Sequence, residues 1–264
     1  MIAHAMLALG GAVMLAPFLW MLLTSLRPAS GVFGGFSLAA LEGFGNYAYA
    51  LETAPLLRFM LNGVIVCAGI LVVQLLVAIP CAYALAKLPF RGRGAMFGLV
   101  LAALCIPIQV PALPLYLGLA HVGLLDTYLA MMLPFFLSVF AIFLFRQFFK
   151  SFPDEIIQAA RLDGAGEFEI VWRFVAPSAL PAIAAFSIFS VVAHWNDLYW
   201  PLIVITETRL APPPLGMLYF RDVETGSNYG ALMAGATIIT APLVIAFLVA
   251  RRRFIQGVTM TGLK

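Results

Sequence analysis

Charged residues are scarce in this sequence. They make up 10% of the 264 residues, whereas 63% of the residues are hydrophobic. A soluble globular domain carries about 25% charged residues, so a water-soluble fold is excluded and lipid is the main solvent of the chain. The Lys and Arg residues fall in short segments without a long basic stripe, which argues against a nucleic-acid partner.

Cysteine is scarce too, and its spacing excludes the common cysteine chemistries. Cys67, Cys81 and Cys105 are odd in number and form neither a CxxC pair nor a zinc-ligand pattern. We predict no disulfide and no metal site, and interpret the three thiols as small apolar packing residues. We also assign no catalytic residue, and the chain is predicted to be non-catalytic.

Two further absences concern the supply of energy. The sequence has no GxxxxGK[ST] motif, so it cannot hold the phosphates of ATP in a P-loop of its own. Its apolar runs contain almost no ionisable side chains, which a proton- or sodium-coupled carrier usually places deep in the membrane. If the chain moves a solute uphill, the energy must arrive from another protein, and a proton-coupled carrier is the weaker alternative.

Long apolar runs dominate what is present. Six of them are close to the ~20 residues that a helix needs to cross ~30 Å of hydrocarbon, and their continuous apolarity favours helices over barrel strands. In the third run, Pro107, Pro111 and Pro114 predict a kink or an end. We predict an all-α polytopic membrane protein, a single domain of residues 1–264, with six transmembrane helices at about 3–25, 59–86, 94–117, 127–147, 178–204 and 229–250.

The distribution of basic residues predicts the orientation, because Lys and Arg are retained on the cytoplasmic side. If the N-terminus is inside, the only basic residues on the outer side are Arg27, Arg58, Arg209 and Arg221. The first run alone, which is followed by Arg27, indicates the opposite orientation. The whole set favours two cytoplasmic termini. The first run has no basic start and is longer than a signal-peptide core, so we expect it to remain as a span.

A polar stretch, residues 151–177, separates the fourth predicted span from the fifth. Residues 151–154 form a helix-start signature, and Gly164 and Gly166 predict a stop with a sharp turn. Two short helices are expected, the second ending at Pro177. They could lie on lipid headgroups or dock on a protein. Acidic side chains in the first turn favour a protein, because an anionic inner leaflet would repel them.

The same stretch carries a family pattern: alanines at 159–160, Gly164 after three residues, and Pro177 thirteen residues later. It resembles the EAA loop of ATP-binding-cassette (ABC) importer permeases, with Gln158 where the family usually has Glu. From about residue 11 onward, the chain is similar to the second permease subunit of the maltose-type carbohydrate subfamily. The further segments that carry this resemblance are 82–87, 144–149, 195–197 with 200–202, and the tail 253–259.

The resemblance implies a set of partners. The 151–177 loop would be a cytoplasmic coupling loop that contacts a dimer of ABC ATPase subunits, which would bind ATP and Mg²⁺, so no cofactor is expected on this chain. A second homologous permease subunit would complete the pore in a bacterial or archaeal inner membrane. An extracytoplasmic solute-binding protein would contact the segment 207–228. The implied ATPase-coupling residues are Glu155, Gln158, Ala159, Ala160, Asp163 and Gly164.

Candidates for the solute pathway come from polar residues near or inside the spans. Trp195, Asn196 and Asp197 interrupt the fifth run, where transporters commonly place solute contacts or gates. These residues could form a pore-lining gate, an aromatic belt together with Tyr199 and Trp200 at the outer interface, or a direct sugar contact. Three other residues could face the pathway or join helix to helix by a hydrogen bond: Gln109, Asn62 and Gln74.

These expectations combine into one function. The chain is predicted to be a permease subunit of an ATP-driven, binding-protein-dependent importer, forming half of the pore for a sugar or related polyol. The alternatives are another solute, such as a glycerol phosphate diester, a peptide or a polyamine, and the proton-coupled carrier.

Overall fold

The computed structural model describes residues 2–28, 43–220 and 228–259, and in these ranges it is helical, without a β-strand. The predicted all-α class is confirmed. A π-helical turn at Val171–Val175 joins the ninth helix to the tenth, and 3₁₀ turns lie at Leu133–Phe135, Thr208–Leu210 and Met217–Phe220. The α-helices are α1 (Ile2–Ser25), α2 (Gly45–Thr53), α3 (Leu56–Lys87), α4 (Arg93–Leu104), α5 (Ala112–His121), α6 (Tyr128–Met132), α7 (Val139–Lys150), α8 (Asp154–Leu162), α9 (Glu167–Ile170), α10 (Ala176–Ser178), α11 (Leu180–Trp195), α12 (Tyr199–Val204), α13 (Pro213–Gly216) and α14 (Tyr229–Thr259).

Three helices of the described ranges are long and apolar enough to cross a membrane: α1, α3 and the first part of α14. Two bent pairs also qualify if each pair is one span. One joins Tyr128–Phe135 to α7 at 43°, and the other joins Glu167–Ser178 to α11 at 82°. The helices α4 and α5 are apolar but shorter. The number of six spans therefore stays a prediction.

Three of the predicted spans are interrupted, and the fourth has its break between Phe135 and α7, at the 43° bend. In the third, α4 ends at Leu104 and α5 begins at Ala112, with Pro107 and Pro111 between them. Proline lacks the backbone donor that a helix needs, which explains the break. In the fifth, α11 ends at Trp195 and α12 begins at Tyr199. Irregular backbone at membrane depth is stable only where protein or a water-filled cavity surrounds it.

The described residues of 1–63 and 211–246 form one compact unit. Its core includes Leu56 and Phe59 at the start of α3, packed with alanines of α14. Gly216 lies against the Phe59 ring, where a Cβ atom would come within 2.1 Å of Cδ2, so a larger residue would displace the ring. Residues 29–42 and 221–227, which include the predicted external residues Asp222, Val223 and Glu224, lie outside the described ranges.

The described residues of 64–210 and 247–264 form the second unit. Its core contains aromatic residues of α7 and α11, among them Phe145, Phe149 and Phe186, together with residues of the C-terminal half of α3. Ile157 of α8 and Val175 of the π-helical turn belong to the same core. The 151–177 loop is therefore packed onto the helix bundle and is not a free surface loop. Side chains beyond residue 248, including those of the tail 253–259, lie outside the described set.

Candidate functional site

The first helix of the 151–177 loop is set by its sequence ends. Pro153 precedes α8 with an extended backbone, and Asp154 and Glu155 in the first turn complement the positive end of the helix dipole. At the other end, Gly164 adopts a φ of +87°, which favours glycine. Its amide donates to the Arg161 carbonyl at 3.0 Å, so the helix stops in the expected sharp turn.

Two details of the loop differ from the sequence expectation. Ser151 does not cap α8. Its hydroxyl donates to the Phe148 carbonyl at 2.7 Å, at the end of α7, and α8 has no side-chain cap. The second helix does not end at Pro177 but runs through the π-helical turn to Ser178. Proline is tolerated there because it occupies the first turn of α10, where its missing amide is not needed.

Glu167 connects three helices of the loop region. Its Oε1 accepts a hydrogen bond from Arg161 Nε at 2.7 Å, and its Oε2 accepts one from the Tyr83 hydroxyl of α3 at 2.6 Å. The bond from Arg161 is the main reason why the pKa of the Glu167 carboxyl lies below its ordinary value, and the same pair raises the pKa of Arg161. The carboxylate thereby fixes α8 and α9 on α3.

Lys87, the last residue of α3, forms a second connection. Its Nζ donates to Asp154 Oδ1 and to the Phe152 carbonyl, both at 2.6 Å. The Lys87 side chain is only 7% exposed, whereas Asp154 is largely exposed. Sequence reasoning missed Lys87, Tyr83 and Glu167 as loop contacts. Two of these residues, Tyr83 and Lys87, belong to the segment 82–87 that carries the family resemblance.

The predicted ATPase-coupling residues do not share one face. Glu155, Gln158, Ala159, Asp163 and Gly164 are exposed. Ala160 differs from these five, because its side chain is buried in the core of the second unit together with Ile157, and its coupling role stays a prediction. The two residues are three positions apart, and that spacing places them on one face of a helix.

Two large apolar side chains lie on the exposed side of the loop. Leu162, at the end of α8, is 90% exposed, and Phe168 of α9 is 74% exposed. Ile156 and Trp172 are exposed to a smaller degree. Large exposed apolar side chains in an otherwise polar segment are typical of a surface that a partner protein covers.

The break in the fifth predicted span is held by local hydrogen bonds. Asn196 Nδ2 donates to the Val192 carbonyl at 2.7 Å, and Asp197 Oδ1 accepts from the Trp200 amide at 3.4 Å. Trp200 is fully buried and donates from Nε1 to the Ala130 carbonyl at 2.9 Å. Trp195 is buried as well. These two tryptophans therefore do not form the lipid-facing belt that was one of the three alternatives.

Gln74 and Asn62 both join parts of the fold. Gln74 Nε2 donates to the Phe135 carbonyl at 2.8 Å, and its Oε1 accepts from Ser190 at 2.7 Å. Asn62 is buried and donates to the Ala211 carbonyl at 2.9 Å. Buried amides in a membrane helix need such partners, because no water is present to replace them.

Gln109 lies in an open groove of about 310 Å³. The groove lies between the break of the third predicted span and the break of the fifth. Its lining residues are Gln109, Ala112, Leu113, Tyr116, Tyr199 and Ile203. We call it the Gln109 groove.

A hydrogen-bonded turn lies between α5 and α6. Asp126, with a φ of +55°, accepts bonds from the Thr206 amide at 2.6 Å, the Thr206 hydroxyl at 2.7 Å and the Glu207 amide at 2.9 Å. The Thr206 hydroxyl is the main reason why the pKa of Asp126 is lowered. The turn is thereby fastened to the segment that follows α12, next to the ion pair of Glu207 with Arg209.

The comparisons with known proteins agree with this architecture. Residues 74–260 match the family described as binding-protein-dependent transport system inner membrane component. The chain is 32% identical to the arabinooligosaccharides transport system permease protein AraQ of Bacillus subtilis, over 95% of this chain and 90% of the relative. It is 30% identical to the sn-glycerol-3-phosphate transport system permease protein UgpE of Agrobacterium fabrum, over 98% of this chain and 96% of the relative.

A solved structure shows the same fold. A chain of a bacterial ABC transporter involved in the import of the acidic polysaccharide alginate superposes with a TM-score of 0.85. The match covers 96% of this chain and 95% of the other, at 22% sequence identity.

Proposed function

Because this chain belongs to the family of binding-protein-dependent transport system inner membrane components, we propose that it couples a solute pathway to a separate ATPase through the 151–177 loop. It is a permease subunit of an ABC importer, and its own helices form the membrane part. The observation that carries the coupling proposal is the loop itself, which is fastened to the bundle by its buried residues and exposes Leu162 and Phe168.

The contacts of the loop suit the transmission of force. Lys87 and Glu167 each connect the loop to α3 through a charged group, and Ile157 and Ala160 pack into the bundle core. A segment fastened at several points moves as a rigid body with the helices to which it is attached, and packed helices switch between discrete arrangements. Movement of the ATPase would therefore reach α3 and α7 directly.

Three partners complete the proposed importer. A dimer of ATPase subunits would bind ATP and Mg²⁺ and receive the exposed side of the loop. A second, homologous permease subunit would supply the other half of the pore, and α1, whose long apolar surface is exposed along its length, offers an area for that subunit and for lipid. A solute-binding protein outside the membrane would deliver the cargo to the segment 207–228.

The proposed cargo is a sugar or related polyol. The named relatives include permease proteins of an arabinooligosaccharide system and of an sn-glycerol-3-phosphate system. A glycerol phosphate diester, a peptide or a polyamine are the alternative solutes. A proton-coupled carrier is disfavoured, since the sequence offers almost no titratable residue deep in its apolar runs.

Purification of the intact complex from membranes tests this function. We expect an ABC ATPase and a second permease to co-purify with the chain, and mass spectrometry of the bound small molecules to identify a sugar. A chain with Phe168→Ala should lose the ATPase, whereas Phe44→Ala, which removes a ring of matched exposure on the N-cap of α2, should retain it. Recovery of the chain without an ATPase, under conditions in which it is folded, would contradict the proposal.

A further inference from the structure

Resting on the proposed function, we propose that the Gln109 groove is a subsite for a single neutral sugar ring. In this subsite the apolar face of the ring stacks on Tyr199 or Tyr116, and the hydroxyls at its rim bond to the Gln109 amide. The subsite would lie on this chain and not only on the second permease.

The first argument is the convergence of two broken helices. Gln109 lies in the irregular segment between α4 and α5, and Tyr199 is the first residue of α12, directly after the break at 196–198. Both residues line one groove. Transporters build solute sites from discontinuous helices, because the break frees side chains and backbone that a continuous helix would occupy. Here residues next to two helix breaks, Gln109 and Tyr199, line a single groove.

The second argument is the chemistry of the lining. A sugar ring has C–H groups on its face and hydroxyls on its rim, so it fits a site with aromatic rings and an amide that both donates and accepts. The two tyrosines and Gln109 provide that combination, while Ala112, Leu113 and Ile203 supply apolar walls. An aliphatic lipid chain would leave the amide of Gln109 without a partner, which costs the desolvation free energy of a polar group.

The third argument is charge and size. The six lining residues include no Asp, Glu, Lys or Arg, so a phosphate or a polyamine would enter without a counter-charge. The volume of about 310 Å³ is at the lower end of ligand pockets, which span ~300–1,000 Å³. The groove therefore suits one ring of a longer sugar, and it favours a neutral sugar over sn-glycerol 3-phosphate.

The test uses the complete importer in proteoliposomes, with its binding protein, its ATPase and the second permease. Uptake of radiolabelled arabinotriose, other neutral oligosaccharides and sn-glycerol 3-phosphate is measured first with the wild-type chain. The variants Tyr199→Ala, Tyr199→Phe and Gln109→Ala are then compared at saturating loaded binding protein, together with the control Tyr49→Ala, which removes an exposed tyrosine of α2. The ATP hydrolysis stimulated by the loaded binding protein is recorded in parallel.

We expect Tyr199→Ala and Gln109→Ala to lower the maximal uptake of a neutral sugar by about five- to tenfold, as loss of an aromatic or amide contact implies. Tyr199→Phe keeps the ring and should stay within about twofold, since only the hydroxyl is lost. Stimulated ATP hydrolysis should persist in the control Tyr49→Ala. Unchanged uptake in both groove variants overturns the subsite but leaves the importer function intact.

Two other outcomes would also contradict the neutral-sugar subsite. If the wild-type importer carries only sn-glycerol 3-phosphate, the neutral-sugar subsite is wrong although the chain is still an importer permease. If Tyr199→Ala or Gln109→Ala releases the second permease from the complex, the groove is a subunit contact. A wild-type complex that transports none of the solutes with ATP would instead contradict the proposed function itself.

Discussion

At the scale of single residues, Lys87 ends α3 with its ammonium group enclosed by the start of the 151–177 loop. It is buried, and it donates to a carboxylate and to a backbone carbonyl. An exposed ion pair contributes little, because water screens it and both side chains lose freedom. The part-buried carbonyl of Phe152 is different, since removal of its donor leaves a polar atom without a partner.

The variant Lys87→Met should therefore destabilise the permease by about 1–3 kcal/mol, the range for a buried polar group that loses its partner. Asp154→Asn keeps an acceptor oxygen on an exposed side chain and should cost less than about 1 kcal/mol. Thermal unfolding of the purified chain in detergent measures both. Equal losses in the two variants would show that the ion pair, and not the Phe152 carbonyl, sets the stability.

The Glu167 carboxyl predicts how the stability of the loop changes with pH. Its folded-state pKa is depressed, so its contribution to stability is present above the unfolded pKa and is lost as the pH falls through the folded pKa. Amides of α8 in the wild type should lose exchange protection as the pH falls below about 4.3, the ordinary Glu value. Glu167→Gln should show low protection already at neutral pH and little further change.

Hydrogen exchange, corrected for the intrinsic pH dependence of amide exchange, measures this effect. Glu169→Gln is the matched control, because Glu169 pairs with Arg173 within its own helical segment and not with α3. If Glu169→Gln changes the protection of α8 as much as Glu167→Gln does, the contact between Glu167 and Tyr83 does not hold the loop.

At the scale of elements, the apolar runs and the turn residues of the sequence predict where helices begin and end. They do not predict which helices contact each other. The break between α4 and α5 follows from Pro107 and Pro111, and the stop of α8 follows from Gly164, because both depend on local backbone chemistry. The bond between Tyr83 and Glu167 joins residues 84 positions apart, and no local pattern indicates it.

The burial of Ala160 is only partly predictable from the sequence. Its spacing of three from Ile157 indicates that both residues lie on one buried face of α8, whereas the family pattern groups Ala160 with Ala159. The burial of Trp195 and Trp200 could not be predicted in this way, because aromatic residues near a span end are equally compatible with lipid and with a protein core.

The turn at Gly164 provides a prediction at this scale. A Cβ atom added there meets nothing within 4 Å apart from its chain neighbours, so Gly164→Asp should leave the bundle folded while straining a φ of +87° and placing a carboxylate at an exposed position of the loop. We expect loss of ATPase binding or of transport, with normal membrane insertion. Gly92→Asp is the matched control, since Gly92 has a φ of +86° and equally open surroundings outside the loop.

Co-purification of the ATPase and uptake into proteoliposomes measure this pair of variants. Normal substrate-stimulated ATP hydrolysis with Gly164→Asp would show that the loop is not the coupling element. Failure of both variants to the same degree would show that backbone strain, and not the position in the loop, causes the defect.

At the scale of the whole molecule, the function depends on which side of the membrane each break and loop occupies. The loop can meet an ATPase only if it faces the cytoplasm, and the six predicted spans then place the turn at Asp126 and the segment after α12 on the outer side. Apolar length cannot decide this orientation, because a helix is equally apolar in either direction. The orientation is predicted from the Lys and Arg residues of the short loops.

Cysteine labelling of intact cells tests the orientation. In a chain whose three native cysteines are replaced by serine or alanine, Gln158→Cys and Val122→Cys each add one thiol at an exposed position, in the 151–177 loop and at the C-terminal end of α5. A membrane-impermeant maleimide should modify Val122→Cys in intact cells and Gln158→Cys only after permeabilisation. Gln158→Cys should also be protected when the ATPase is bound. Modification of Gln158→Cys in intact cells would place the loop outside, where no ATP-driven partner could reach it.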